Sequence, residues 1–123
     1  MERRGRLYGC PVELTLDLLG GKWKTVILSR LKQGPLRYGE LRRAIPGLAD
    51  KMLTQRLRDL EQAGFVERAK QADGQIRYRL TAHGQSLGPA LEALYAWGRR
   101  VAPAVNARFA SQSSSRGPEA SYR

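Results

Sequence analysis

The spacing of apolar residues predicts a series of short helices in the first part of the chain. Residues 11–19 are rich in leucine but lack a clean period, and the glycines at 20–21 interrupt them, which favours a short helix followed by a break. From Trp23 onward, apolar side chains recur three and four residues apart, as on one face of a helix. A Gly-Pro pair at 34–35 stops this pattern, so a second helix is predicted at about residues 22–32.

Two further helices are predicted close together in the sequence. A brief apolar pattern over residues 38–45 ends at Pro46 and Gly47, because neither residue readily continues a helix. The stretch DKMLTQRLRDLEQAGF at 50–65 has a clear helical period, with leucines on one face and polar residues on the opposite face. Gly64 provides the left-handed C-cap that ends such a helix.

The pattern then changes to one that is typical of strands. FVERAK at 65–70 and IRYRL at 76–80 are rich in residues that favour strands, and Asp-Gly at 73–74 favours a tight turn, so these segments predict a β-hairpin. After the hairpin, apolar residues recur alternately four and three apart in a heptad-like seam. Pro89 and Pro103 predict that the helix kinks or restarts within this last segment.

This order of elements is that of a helix-turn-helix followed by a β-wing, which makes the predicted fold class mainly α with a small β-wing (α+β). In such a fold the helix after the tight turn presents its polar face to the major groove, where Arg, Lys, Gln and Thr reach base edges. The candidate base-reading residues on this helix are Lys51, Thr54, Gln55 and Arg58. The wing needs cations that contact the neighbouring DNA backbone or the minor groove of the DNA. The candidate residues are Arg68, Lys70, Arg77 and Arg79.

The charge of the chain favours double-stranded DNA as the partner. The sequence has 22 Lys and Arg against 11 Asp and Glu, a formal net charge of +11 and a pI near 10.7. Residues 22–79 carry 14 Lys and Arg against 6 Asp and Glu, an excess of +8, so most of the excess lies in the predicted DNA-binding part. A polar outward face alone fits a solvated surface equally well, and it is the hairpin and the charge that favour DNA.

Other functional classes find little support in the sequence. The chain has one cysteine, Cys10, and one histidine, His83, so neither a metal site nor an intrachain disulfide is predicted, and a reducing compartment is expected. We find no glycine-rich phosphate loop and no convergent acid and base groups, so no cofactor and no enzymatic activity are predicted. Trp23 and Trp97 are assigned to packing, and His83 to a capping or exposed position. No apolar run approaches the ~20 residues of a spanning helix, so we expect a cytoplasmic protein without membrane association.

Six segments of the chain match the motifs of one family of DNA-binding proteins. They are CPVE at 10–13, LLGGKWK at 18–24, ILSRL at 27–31, GPLRYGELRRAIPGL at 34–48, KMLTQRLRDLEQAGFVER at 51–68 and YRLTAHGQSLGPALEALYAWG at 78–98. The sequence resembles the HxlR family of winged helix-turn-helix transcription regulators, which are related to the MarR group. The resemblance covers about residues 10–98, and GGKWK followed by LTQRLRDLE makes it specific.

The resemblance implies a homodimer that binds a roughly two-fold operator, with dimer contacts from the first and last helices. Carried over by position, it assigns base reading to the polar face of the fourth helix, and it assigns phosphate contacts to Arg37, Tyr38 and Arg42. The heptad-like seam independently favours a dimer, because a small domain gains by burying such a stripe against a second copy. The expected dimer contacts are Leu87, Leu91, Leu94, Trp97 and Val101.

The sequence departs from the family pattern at two places. Family members usually have serine where this chain has Ala49, so the N-cap hydroxyl of the fourth helix is missing and Asp50 must cap the helix or favour its dipole. The wing is shorter than usual and has QADGQ at 71–75 in place of a loop with prolines. These departures concern how the helix begins and how far the wing reaches.

Cys10 occupies the position of a cysteine that senses oxidants or reactive electrophiles in some members of the family. The helix N-terminus and the nearby Arg3, Arg4 and Arg6 would favour a thiolate there. A small residue buried in the dimer interface is the competing interpretation, and the sequence leaves both open. With one cysteine in the chain, a disulfide would form between subunits or with a small thiol.

The sequence therefore predicts a sequence-specific, dimeric, DNA-binding transcription regulator, with a small-molecule or oxidant effector as a possible further partner. The predicted organisation is a flexible basic arm at 1–9, a winged helix-turn-helix domain with its dimerisation helix at 10–108, and a disordered tail at 109–123. The alternative is a winged-helix module that binds an acidic protein partner through the same helix face without sequence-specific DNA binding.

Overall fold

The computed structural model describes residues 5–109 and confirms the winged helix-turn-helix architecture. Four helices precede the hairpin, and a short helix and a longer one follow it. The elements are α1 (Pro11–Leu19), α2 (Lys22–Leu31), α3 (Tyr38–Ala44), α4 (Asp50–Gln62), β1 (Val66–Lys70), β2 (Ile76–Leu80), α5 (Ala82–Gln85), α6 (Gly88–Val101) and a 3₁₀ turn (Ala102–Val105).

The core forms around α2, which packs against α3, α4, α6 and β2. The apolar side chains of α2, α3 and α4 follow the predicted helical period, so one face of each of these three helices is removed from water. Each such side chain contributes roughly 1.5–3 kcal/mol when it is fully buried. The largest fully buried side chains are Ile27, Leu28, Leu41, Leu53, Leu57 and Leu60. Because the leucine face of α4 is buried in this core, the opposite, polar face of α4 is exposed to solvent.

The two ends of α4 have different caps. Ala49 is the N-cap in extended conformation, and no side chain caps the helix there. Gly64 has φ +85° and its N–H bonds to the carbonyl of Glu61, while the N–H of Phe65 bonds to the carbonyl of Leu60, both at 3.0 Å. This pair of bonds is a Schellman motif, and the buried Phe65 ring folds back on the helix. The predicted glycine C-cap is confirmed.

The hairpin is antiparallel, and Arg68 in β1 lies opposite Tyr78 in β2. Gly74 has φ +83°, as the Asp-Gly signal in the turn predicts. A third segment, which the sequence pattern did not reveal, pairs with β2: Leu36 and Tyr78 exchange backbone hydrogen bonds of 3.0 and 2.8 Å. This bridge ties the wing to the segment just before α3.

The segment after the wing restarts at its prolines, as predicted. Pro89 lies in the first turn of α6, and Pro103 lies in the 3₁₀ turn that follows this helix. Thr81 caps the short helix α5 by accepting a hydrogen bond of 3.0 Å from the N–H of Gly84. His83 is exposed and stacks on Phe65 with ring centroids 4.7 Å apart.

The residues of the heptad-like seam lie in two different environments. Leu91 is 2% exposed within the single chain, and Leu87 packs on the same core. Leu94 and Trp97 are 55% and 56% exposed, and Val101 is half-buried. The first two residues therefore stabilise the domain itself, whereas Leu94 and Trp97 leave apolar surface exposed to solvent in the single chain. Trp23 is half-buried and packs on the core, as expected.

Residues 1–4 of the predicted arm and residues 110–123 of the predicted tail lie outside the described part of the chain. Within residues 5–109, no helix combines the length and the apolar character needed to cross a membrane. Groups of His, Cys, Asp and Glu suited to a metal ion are also absent from this part of the chain.

Candidate nucleic-acid interface

The outward face of α4 carries the four side chains that the sequence assigns to base reading. Leu53, Leu57 and Leu60 fill the inward face, so the residues between them are directed to solvent. The exposed residues of the opposite face are Lys51, Thr54, Gln55 and Arg58. One exposed helical surface thus presents two cations, a hydroxyl and an amide, which is the chemistry that reads base edges and phosphates.

Two of these residues make polar contacts within the protein. Gln55 Nε2 donates to Asp59 Oδ1 at 3.0 Å, and the other oxygen of Asp59 pairs with Arg56 at 2.6 Å. Thr54 Oγ1 lies 3.1 Å from the hydroxyl of Tyr38. Lys51 and Arg58 form no ion pair within residues 5–109, so their charges remain for a ligand.

The junction of α3 and α4 brings together residues that the sequence assigns to phosphate contacts. Arg42 Nε pairs with Asp50 Oδ1 at 2.6 Å, and the Tyr38 hydroxyl donates to the same oxygen at 3.0 Å. Asp50 is the first residue of α4, and its carboxylate is directed to α3 rather than into a cap for its own helix. The sequence did not identify Asp50 as an interface residue, because its partners come from another helix.

Arg37 is held at the start of α3 by Glu40. The backbone N–H of Arg37 donates to Glu40 Oε1 at 2.8 Å, and its Nη2 lies 3.3 Å from Glu40 Oε2. The backbone hydrogen bond is the main reason that the pKa of Glu40 is lowered, and the nearby guanidinium adds to the effect. The contacts between Arg37 and Glu40 therefore stabilise the N-terminal end of α3, and the Arg37 side chain is half-buried.

Each wing arginine is paired with a carboxylate. Arg79 Nε lies 2.8 Å from Glu67, which is its cross-strand neighbour, and Arg68 Nε lies 3.6 Å from Glu61 at the end of α4. These two arginines use Nε, which leaves their Nη nitrogens for phosphate. Lys70 is exposed and forms no ion pair within the described residues.

Arg77 is paired differently from the other wing arginines. Its two Nη nitrogens lie 3.1 and 3.0 Å from the two oxygens of Asp73 in the turn. The hydrogen bond from Arg77 is the largest cause of the lowered pKa of Asp73, and the same contact raises the pKa of Arg77. A phosphate that binds Arg77 would have to replace this bidentate contact.

Cys10 lies at the N-cap position of α1 and is exposed. The backbone N–H of Gly9 donates to Glu13 Oε1, and the N–H of Glu13 donates to the Cys10 carbonyl at 3.0 Å. Of the three arginines expected near the thiol, Arg6 is within the described residues and pairs with Asp17 at 3.1 Å. The competing interpretation, a buried cysteine, would require a second chain to cover it.

Comparison with known proteins agrees with this architecture. Residues 18–106 match the model of the HxlR-like helix-turn-helix family. An HTH-type transcriptional regulator of Methanothermobacter thermautotrophicus is 42% identical over 94 residues, which cover 75% of this chain and 72% of that protein.

Two solved structures show the same fold at comparable sequence identity. The redox regulator HypR in its oxidized form has a TM-score of 0.66 and 40% identity, covering 74% of this chain and 96% of HypR. The quinone-bound YodB of B. subtilis has a TM-score of 0.61 and 38% identity, covering 74% of this chain and 99% of YodB. The chain therefore belongs to the HxlR-like helix-turn-helix family.

Proposed function

We propose that the protein is a sequence-specific DNA-binding transcription regulator that acts as a homodimer on a roughly two-fold operator. The polar outward face of α4 carries the proposal, because this helix occupies the recognition position of a winged helix-turn-helix and presents Lys51 and Arg58 without ion pairs among the described residues. The wing then lies against the sugar-phosphate backbone of the DNA beside the major groove. Lys70 is its most available cation, because it forms no ion pair within the described residues. A cytoplasmic location is part of this proposal, since DNA binding requires access to the chromosome.

The exposed apolar residues of the first and last helices support the dimer. Val12 and Leu16 in α1 and Leu94 and Trp97 in α6 each expose more than half of their surface. Removing such side chains from water is favourable in proportion to the apolar area covered, so a second copy would stabilise both helices. In a two-fold dimer the two α4 helices would lie about 34 Å apart, one turn of DNA.

A response to oxidants or electrophiles is the second part of the proposal. Cys10 is exposed at the start of α1, next to the apolar surface assigned to the dimer. Its thiolate could add to a quinone, or an oxidant such as diamide could take two electrons as Cys10 forms a disulfide with a small thiol or with the second subunit. HypR is described as a redox regulator and YodB has been solved with a bound quinone, which favours the same chemistry here.

The proposed role of α4 is tested by comparing Arg58→Ala with Lys70→Ala. Loss of a base contact costs about 1–3 kcal/mol at one position of the operator, so Arg58→Ala should lower the ratio of specific to nonspecific affinity. Lys70→Ala should weaken binding to all sequences alike and make the salt dependence shallower. Fluorescence anisotropy with an operator duplex and a scrambled duplex measures both effects.

Lys32→Ala is the matched control, because Lys32 lies at the C-cap of α2 and pairs with Glu92 of α6 at 2.9 Å. This variant removes one positive charge at a position outside the proposed DNA interface. It should change neither the ratio of specific to nonspecific affinity nor the salt dependence of binding appreciably. A ratio that Arg58→Ala leaves untouched would contradict the assignment of α4 to base reading. Weak and sequence-blind DNA binding by the wild-type protein would favour the protein-interaction module instead.

A further inference from the structure

Two side chains that are expected to contact DNA, Arg42 and Tyr38, meet at one carboxylate, and Thr54 contacts one of them. Asp50 Oδ1 accepts from Arg42 Nε at 2.6 Å and from the Tyr38 hydroxyl at 3.0 Å. The Tyr38 hydroxyl in turn lies 3.1 Å from Thr54 Oγ1, one turn further along α4. Asp50 thereby connects α3 to the recognition helix through polar contacts that are all on the outer surface of the domain.

The position of Asp50 places this carboxylate where DNA would approach. It is the first residue of α4, and the N-terminal residues of a recognition helix are those that meet base edges in the major groove. A carboxylate is favourable at a helix N-terminus in the free protein, since the helix dipole is positive there. Near the phosphates of DNA the same charge is unfavourable.

The geometry gives Asp50 an orienting effect as well as a repulsive one. It holds Arg42 through Nε, so the two Nη nitrogens of Arg42 are left for a phosphate in a fixed direction. When α4 is in register on its operator sequence, the contact of Arg42 with a phosphate offsets the repulsion between the Asp50 carboxylate and the DNA phosphates. On other sequences the contact is out of register, whereas the repulsion remains.

We propose that Asp50 is a specificity-determining residue of the DNA interface, which orients Tyr38 and Arg42 toward phosphates and opposes binding that is out of register. This inference rests on the proposed function of the protein as a DNA reader. It predicts that the charge of Asp50 lowers nonspecific affinity more than specific affinity. Asp50 would therefore act through selectivity rather than through strength of binding.

The test uses Asp50→Asn in the full chain, with a duplex that the wild-type protein enriches from random DNA and a scrambled duplex of the same composition. Asparagine has nearly the same volume and is tolerated at helix starts, so the fold should persist. We expect the ratio of specific to nonspecific affinity to fall about tenfold, mainly because nonspecific binding becomes tighter. For scrambled DNA the slope of log K against log salt should steepen by about 0.9, because Arg42 gains a phosphate contact.

Two further variants separate this role from a general effect. Glu92→Gln removes the same charge from an ion pair with Lys32 between α2 and α6, so it should leave the ratio and the slope at wild-type values. Tyr38→Phe removes one hydroxyl and keeps the ring, so it should lower the ratio by a smaller factor, about threefold. A purely structural defect would instead weaken both duplexes in parallel and leave the slope unchanged.

The possible outcomes are distinct. If the wild-type protein is selective and Asp50→Asn is equally selective, or if Asp50→Asn weakens binding to both duplexes in parallel, the role of Asp50 is overturned and the proposed function remains. If the wild-type protein enriches no sequence at all, both proposals are overturned together. A lower ratio with a steeper slope supports the inference.

Discussion

At the residue scale, most cations of the proposed interface are already paired with carboxylates in the free protein. Arg42 pairs with Asp50 and Arg79 with Glu67, and these side chains are substantially exposed. Exposed pairs of this kind contribute about 0–1 kcal/mol each, so exchanging a carboxylate for a phosphate has a small cost. The acidic partners therefore set the geometry of the arginines without preventing DNA binding.

Glu40 should contribute to stability in a pH-dependent manner. The pKa of Glu40 is lowered in the folded protein, mainly by the hydrogen bond from the Arg37 backbone N–H. Its contribution to stability is therefore fully present above the ordinary glutamate pKa of about 4.3, and it is lost as the pH falls through the lowered pKa of the folded state. Glu40→Ala should cost about 1 kcal/mol near pH 7, because it removes the cap of α3. Urea unfolding at pH 7 and at a series of acidic pH values measures this difference. A cost that stays constant down to the most acidic pH would contradict it.

Cys10 should be required for any response to oxidants and dispensable for DNA binding. Cys10→Ser keeps the size of an exposed side chain and removes the thiol, so operator affinity under reducing conditions should match that of the wild-type protein. Diamide or a quinone should change the affinity of the wild-type protein and leave that of the variant unchanged. Equal oxidant responses in both proteins would exclude Cys10 as the sensor.

Residue-scale features were predictable from the sequence where they depend on local spacing. The polar face of α4 follows from its helical period, and Gly64 follows from the need for a positive φ at the C-cap. The part played by Asp50 depends on Tyr38 and Arg42, which reach it from another helix. No local pattern contains such a contact, so the sequence identified the missing cap at Ala49 but not the contacts of the carboxylate that follows it.

At the element scale, local signals were sufficient to place most elements: the periods of apolar residues placed α2, α3 and α4, and strand-favouring residues around an Asp-Gly turn placed both strands. They did not reveal the bridge between Leu36 and Tyr78, because this pairing joins segments that are far apart in the sequence. They also did not show that the seam of α6 is divided between the core, at Leu91, and the surface, at Leu94. A heptad pattern describes one face of a helix and contains no information about which neighbour covers it.

The packing of α5 against Phe65 and β2 should depend on Gly84. A Cβ atom at this position would lie 2.1 Å from the Phe65 carbonyl oxygen and 3.3 Å from Leu80 Cδ2, so α5 would have to move. Gly84→Ala should therefore destabilise the protein by about 3 kcal/mol. Gly98→Ala in α6 is the control, because its Cβ meets nothing within 4 Å, and it should stabilise the helix by about 0.5–1 kcal/mol. Similar melting temperatures for the two variants would contradict the described packing.

At the scale of the whole molecule, the apolar surface of α1 and α6 should produce a dimer. Leu94 is 55% exposed in the single chain, so Leu94→Lys would place a charge in the proposed interface. Sedimentation should then show a shift from dimer to monomer, together with weaker operator binding. Ile76→Lys is the matched control, because Ile76 is also 55% exposed but lies in the wing, and it should leave the dimer intact. A wild-type protein that sediments as a monomer at micromolar concentration would contradict this assignment.

The claim that this family member reads a two-fold DNA sequence is tested most directly by selection from random DNA. The purified protein would be mixed with a library of random duplexes, and the bound fraction sequenced after several rounds at physiological salt. We expect a palindromic motif whose half-sites lie about one helical turn apart, roughly 34 Å, with enrichment lost in Arg58→Ala. Bound DNA with the same sequence distribution as the starting library would contradict the account.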